Sequence, residues 1–181
     1  MLESIVQWDF SVLNFIKEHL NCGFMDFAMK WTSILGGAVI WLVIGIVFIF
    51  IKKYRKDGIN LIFCFGICVL LIECAIKLLI MRERPYIIAE IPIIVAPPMG
   101  TSFPSGHTSL SFAAASALMT TDKRFGIPAY IFAALVGFSR LYLYVHFPTD
   151  IIAGAIFGSV FGLVFSHFFK KLLNKIPILN K

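Results

Sequence analysis

The sequence predicts an all-α integral membrane protein, a six-helix bundle with about five transmembrane spans plus an N-terminal interfacial or short membrane helix. Three observations carry that expectation. Of 181 residues, 59% are hydrophobic and only 14% charged, with a mean hydropathy of +0.89, far from an average soluble domain. Several apolar runs approach the roughly 20 residues a spanning helix needs. The basic residues fall in short clusters between those runs, as topology signals do. No linker, repeat or low-complexity tract divides the chain, so residues 1–181 are expected to form one domain. The net charge of +6 is carried largely by those clusters, and no nucleic-acid partner is expected.

Residues 1–22 form the first element. Leu2, Ile5, Val6, Phe10, Leu13, Ile16 and Leu20 share one helical face and Glu3, Gln7, Ser11, Asn14 and Glu18 another, the pattern of a helix lying in the membrane interface. Glu3 and Asp9 stand where a cleavable signal peptide would need a basic start and a clean apolar run, so none is expected. A first span is predicted from Trp31 to Ile51, with Phe24 to Lys30 as a lead-in, and Lys52-Lys53-Tyr54-Arg55-Lys56 stops it. The second, from about Ile59 to Met81, is unusual in holding Glu73 and Lys77 near its far end.

A Pro-containing stretch from Arg82 to Pro104 leads into a short helix, His107 to Thr121. This helix is rich in Ala, Ser and Thr and suited to packing against other helices more than against lipid. Asp122-Lys123-Arg124 closes it. The fourth span, Phe125 to Val145, carries Arg140, and the fifth opens on Pro148, a favoured first helical residue, and runs to Phe169. Gly154, Gly158 and Gly162 recur every four residues and let a second helix come close, within the bundle in preference to between protomers.

The clusters Lys52 to Lys56, Lys123-Arg124, and Lys170, Lys171, Lys175 and Lys181 hold ten of the sixteen Lys and Arg residues. Alternating spans put all three on one side, which should be cytoplasmic together with the C-terminus. Alternation gathers a different set on the extracytoplasmic side: Lys77 and Arg84, then Pro104-Ser105-Gly106-His107, then Ser139-Arg140, His146 and Asp150. Ionisable groups are costly at bilayer depth, so such a set is a functional-site hypothesis.

Each cluster has a chemistry. Lys77 and Arg84 are seven residues apart, about 20° short of two helical turns, and would point the same way if the helix persists. Alone, they read equally as a snorkelling lysine and an interfacial arginine. Ser105 and Gly106 precede a helix, where free N–H groups favour an anion. Gly106 allows close backbone approach, the Ser105 hydroxyl can donate, and His107 could protonate a leaving oxygen. The plain alternative is a Ser N-cap beside a capping histidine. A neutral His146 is a competent nucleophile towards phosphorus, and Asp150 on its other nitrogen would fix the tautomer, provided the turn around Pro148 brings them together. Arg140 offers a planar fork for phosphate oxygens.

Taken jointly, Lys77 through Arg84-Pro85, Pro104 to His107, and Ser139-Arg140 through His146 to Asp150 resemble the three-part signature of the type 2 phosphatidic acid phosphatase family. That pattern is K-x6-RP, PSGH and SR-x5-H-x3-D, and residues 77–150 match it at every signature position. The resemblance implies a six-helix membrane core and a metal-free, cofactor-free phosphatase. His146 would attack phosphorus, Asp150 would orient it, and His107 would protonate the leaving group and later activate water. Lys77, Arg84, Ser105, Gly106 and Arg140 would bind phosphoryl oxygens. The competing chemical reading, a metal held by His107, His146 and Asp150, is disfavoured by three nearby cations.

The implied substrate is a lipid phosphate or diphosphate. The outward-facing site and small size favour undecaprenyl diphosphate if the source is bacterial, with phosphatidylglycerol phosphate or phosphatidate as the alternative. A lipid transporter or scaffold is the non-enzymatic alternative. The implied location is the plasma membrane, among its lipids, and oligomeric state is not encoded in any motif. Residues 86–104, with Ile87, Ile88, Ile91, Ile93, Ile94 and Val95, are too apolar for a solvated loop and could line a lateral lipid entry. Glu73 either pairs with Lys77 one turn on or is an unrelated interior carboxylate. Cys22, Cys64, Cys68 and Cys74 read as small buried hydrophobes, Trp8, Trp31 and Trp41 as interface or packing residues, and His19 and His167 as interfacial. Tyr142 and Tyr144 carry no assigned role.

Overall fold

The computed structural model describes residues 2–176, so Lys181 of the last basic cluster lies outside the described residues. Helix α1 is Leu2–Leu20, α2 Gly23–Leu35 and α3 Ala38–Phe50. After a 3-10 turn at Lys52–Tyr54 come α4 Arg55–Leu71, a π-helical turn Ile72–Ile76, α5 Lys77–Leu79 and α6 Pro85–Ile88. The chain closes with α7 Gly106–Met119, α8 Lys123–Tyr142 and α9 Pro148–Leu173.

Among the described residues, Lys52–Leu79, Lys123–Tyr142 and Pro148–Leu173 are long and apolar enough to cross a membrane, and α2 with α3 makes a fourth span bent by 50°. The first span, expected from Trp31 to Ile51 with Phe24 to Lys30 as a lead-in, takes in that lead-in as α2. Gly36 and Gly37 stand at the bend, and a Cβ on Gly36 would collide with Val136 of α8, so the elbow packs against α8 at a glycine. Helix α7 has 14 residues and rises only about 21 Å, short of the roughly 30 Å hydrocarbon core. It is packed between α4, α8 and α9 and buries Ala113, Ala114, Ala115 and Ala117.

Gly154, Gly158 and Gly162 face α7. Ideal Cβ atoms there would meet Ser105 O at 3.0 Å and collide with Ser109 O and Ala113 O, so the small-residue stripe serves packing inside the bundle. Cys64 and Cys68 are buried free thiols, as expected, whereas Cys22 and Cys74 are exposed. Trp41 is buried and donates to Ser111 Oγ at 3.1 Å, while Trp8 and Trp31 stay half exposed.

The basic clusters meet at one end of the bundle. Lys170 pairs with Asp57 at 2.7 Å and donates to Thr121 Oγ1, Thr121 donates to Asp57, and Lys56 donates to Asn174. These contacts tie the start of α4, the end of α7 and the end of α9 together. The signature residues lie at the opposite ends of those same helices.

Candidate active site

The turn joining α8 to α9 is held in an unusual shape. Tyr144 adopts φ +59°, a left-handed conformation rare for a bulky residue and costing about 1–3 kcal/mol. Its hydroxyl donates to Asn14 of α1 at 2.7 Å, and that of Tyr142 donates to Asp26 of α2 at 2.6 Å. The tyrosines left without a role therefore clamp this turn to the first two helices. Leu13 and Phe147 pack with Tyr144 beneath it.

Phe147 caps α9 and Pro148 is its first residue. Asp150, at the third position, turns its carboxylate back to accept from Phe147 N–H at 2.8 Å, satisfying one of the donors a helix start leaves free. The same carboxylate accepts from Ser102 Oγ at 2.5 Å and from Arg82 Nη1 at 2.8 Å. Asp150 Oδ2 and Ser102 Oγ both stand 3.5 Å from His146 Nδ1, the long limit for a hydrogen bond. The Pro148 turn thus does bring His146 and Asp150 together.

On the other side of the ring, Arg84 Nη1 donates to His146 Nε2 at 3.1 Å. Nε2 is therefore the acceptor and Nδ1, facing the carboxylate, carries the proton. Burial pushes the His146 imidazole down to about 4, with the Asp150 contact opposing and the Arg84 and Arg140 charges reinforcing, so the ring is neutral near pH 7. Arg84 is aimed by three carbonyls, Gly100, Met99 and Val145, at 3.0–3.1 Å.

Lys77 and Arg84 do not reach this place along one helix. The helix stops at Leu79, and Arg84 is the N-cap of α6, with Pro85 at its first position. The π turn adds a residue, with Lys77 N–H reaching back to Ile72 O, a deviation often found at functional sites. Lys77 Nζ contacts both oxygens of Glu73 at 2.8 Å, so the pairing alternative for Glu73 holds. A Cβ on Gly106 would collide with Glu73 Oε1 and lie 3.5 Å from Lys77 Nζ, which sets the pair against the start of α7. Ser105 is the buried N-cap there, its Oγ accepting from Thr108 N at 3.5 Å and Thr108 Oγ1 at 3.0 Å. It keeps its own proton to donate.

Burial, and after it the charges of Arg140, His146, Lys77 and Arg84, push the His107 imidazole down to about 3, so this ring too is neutral near pH 7. Its Nε2 lies beside the Gly37 elbow, and it has no hydrogen-bond partner among the described residues. Arg140 donates through Nη1 to Ser33 Oγ, while its buried Nε is unpartnered among the described residues. All eight residues anticipated from the sequence belong to this one cluster.

Three further residues complete it. Arg82 Nη2 donates to Asp9 Oδ2 at 2.6 Å and its guanidinium stacks over Phe147, 3.9 Å from the ring centre. Asp9, fully buried, also accepts from Thr149 N and Oγ1 at 3.0 and 2.6 Å. Asp9, Arg82 and Ser102 thus form the outer layer around Asp150. Asp9 shares a helical stripe with buried Leu13 and Ile16, and a carboxylate on an apolar stripe was the sequence signal for it.

The PAP2 superfamily profile matches residues 57–173. The chain belongs to the PAP2 superfamily. An undecaprenyl-diphosphatase of Sulfolobus acidocaldarius is 33% identical over 147 residues, covering 80% of this chain and 69% of that protein. The crystal structure of a transmembrane PAP2-type phosphatidylglycerolphosphate phosphatase from Bacillus subtilis superposes with a TM-score of 0.77 at 26% identity, over 93% of this chain and 88% of that one. LpxE of Aquifex aeolicus gives 0.76 at 26% identity, over 87% and 94%. This PAP2 chain is a multi-pass membrane phosphatase.

Proposed function

We propose that this PAP2 protein hydrolyses a lipid-linked diphosphate through a phosphohistidine. The observation that carries the reading is the state of His146: Nδ1 faces Asp150, while Nε2 is turned towards Arg84. A lone pair aimed into a cluster of cations is what attack on a phosphoryl group requires. Arg84, Arg140 and Lys77 neutralise the equatorial oxygens, and the Gly106 and Ser105 end of α7 adds its dipole. His107 gains a proton as the anionic substrate offsets the cations around it, gives that proton to the departing oxygen, and then takes a proton from water as it cleaves the P–N bond. Three cations disfavour a divalent ion in the same pocket.

The relative from S. acidocaldarius, an undecaprenyl-diphosphatase by name, supports a polyprenyl diphosphate as substrate. The fold likeness to a phosphatidylglycerolphosphate phosphatase supports that lipid as the second reading. Gathering of the basic clusters at the far end supports an extracytoplasmic site and a cytoplasmic C-terminus. Purified protein in detergent should release inorganic phosphate in EDTA, fastest from the polyprenyl diphosphate when compared side by side with phosphatidate and phosphatidylglycerol phosphate. Strict metal dependence removes the mechanism; a faster rate on phosphatidylglycerol phosphate removes the substrate.

A further inference from the structure

A cavity of about 500 Å³ opens beside the catalytic cluster, and His107 and Arg140 line it together with Lys30, Ser33, Ile34, Ile94 and Val95. The departing oxygen must lie within reach of the acid, so on the mechanism proposed above, on which this inference rests, the cavity is where the leaving group sits. The two substrate classes differ most there. A phosphate monoester departs as a neutral alcohol, whereas a diphosphate departs as a lipid phosphate that keeps its negative charge.

The cavity carries cations suited to the second case. Lys30 stands one turn before Ser33, the residue that accepts from Arg140. Among the described residues Lys30 has no ion-pair partner, whereas Lys77, Arg82 and Lys170 are each closed on a carboxylate. The Arg140 side chain is buried, and its Nε is unpartnered among the described residues. A buried guanidinium N–H without an acceptor is expensive and calls for one in the working state. Ile34, Ile94 and Val95 supply apolar wall where the first carbons of a chain would follow.

We propose that this cavity is a leaving-phosphoryl subsite, in which Lys30 and Arg140 Nε hold the second phosphoryl group of a lipid diphosphate. As the His146 Nε2–P bond forms, the bond from phosphorus to the bridging oxygen breaks and its electron pair stays on that oxygen. His107, protonated once the substrate's negative charge offsets the cations around it, supplies the proton, and the lipid monophosphate leaves with its charge matched by Lys30. Water then gives a proton to His107 and its oxygen to phosphorus, and the P–N bond breaks to free inorganic phosphate and His146. Lys30 thereby selects diphosphates over monoesters.

The test compares kcat/KM for farnesyl diphosphate and for short-chain phosphatidate with full-length wild type, Lys30→Gln and Lys30→Arg in the same detergent. The diphosphate-to-monoester ratio should fall about tenfold in Lys30→Gln, the scale of one charge-assisted hydrogen bond, and be largely restored in Lys30→Arg. An unchanged ratio, with or without a loss on both substrates, overturns the subsite, as does a wild type that cleaves phosphatidate alone. A wild type that cleaves neither overturns the phosphohistidine reading itself.

Discussion

The two histidines of this cluster are treated very differently. His146 is 2% exposed, with Arg84 on one nitrogen and Asp150 and Ser102 on the other. Behind Asp150 stand Arg82, Asp9 and Thr149. His107 lines an open cavity without a hydrogen-bond partner among the described residues. On the mechanism proposed above His146 is the nucleophile and His107 the acid, and a nucleophile gains from being fixed, because a small misplacement of the attacking atom is costly. An acid that must serve a leaving oxygen and then a water gains from freedom.

The sharpest way to break that contrast is to remove each ring. Loss of the nucleophile should reduce turnover by about 10⁴-fold or more, with no phosphoenzyme formed, since a group acting as a covalent intermediate has no substitute. Loss of the acid should cost less, about 10²–10⁴-fold, and should leave His146 able to accept the phosphoryl group. Alkaline quenching after labelled diphosphate should therefore trap a phosphohistidine in His107→Ala and none in His146→Ala. Label in both variants would mean that His146 is not the nucleophile.

Asp150→Asn comes next. The amide cannot hold the Nδ1–H tautomer as a carboxylate does, and it places an N–H or a neutral oxygen opposite Arg82. A loss of about 10³-fold in kcat is expected, below the scale seen when a triad aspartate is neutralised, because Arg84 continues to orient Nε2. A loss under tenfold would show that the nearby cations alone position the imidazole.

How far this division was readable beforehand depended on the range of the interaction. The spans declare themselves because burial in lipid needs a continuous apolar run, and the signature residues because lysine, arginine and histidine at the ends of such runs have few other uses. Tertiary steric limits were invisible, as at Gly36 against Val136 of α8, where an apparently continuous run became an elbow. The π turn and the stop at Leu79 were equally hidden, so Lys77 and Arg84 meet through a loop and not along a shared face. Hidden most completely was the Asp9–Arg82 pair. Its partners are separated by 73 positions and belong to α1 and a loop, with no local pattern joining them. Only the apolar stripe around Asp9 hinted that its charge must be answered.

That pair gives a smaller test of how rigidly His146 is held. Asp9→Asn leaves Arg82 bound to Asp150 but frees one arm of the guanidinium and weakens its hold on Thr149. Outer-layer partners of this kind are worth about ten- to a hundredfold where they orient metal ligands, and the lower end is expected here, since Phe147 still stacks on Arg82. The fall should be in kcat, with KM nearly unchanged, because Asp9 touches no substrate. A rise in KM at constant kcat would mean that α1 shapes the binding cavity and not the nucleophile.

The finest test is the protonation of His146 itself. An ordinary histidine gains its proton as the pH falls through about 6.5; burial, aided by Arg84 and Arg140, holds this one neutral until about 4. Between pH 7 and 5 the ¹⁵N spectrum of His146, assigned by comparison with His146→Ala, should therefore keep one protonated and one unprotonated nitrogen. The unprotonated signal belongs to Nε2. A midpoint near 6.5 would mean that water reaches the ring, and His146 would be no better enclosed than His107 beside its cavity. Asp9→Asn provides the internal comparison: if the outer carboxylate acts only by holding Arg82 in place, the tautomer ratio changes in this variant while the midpoint stays low.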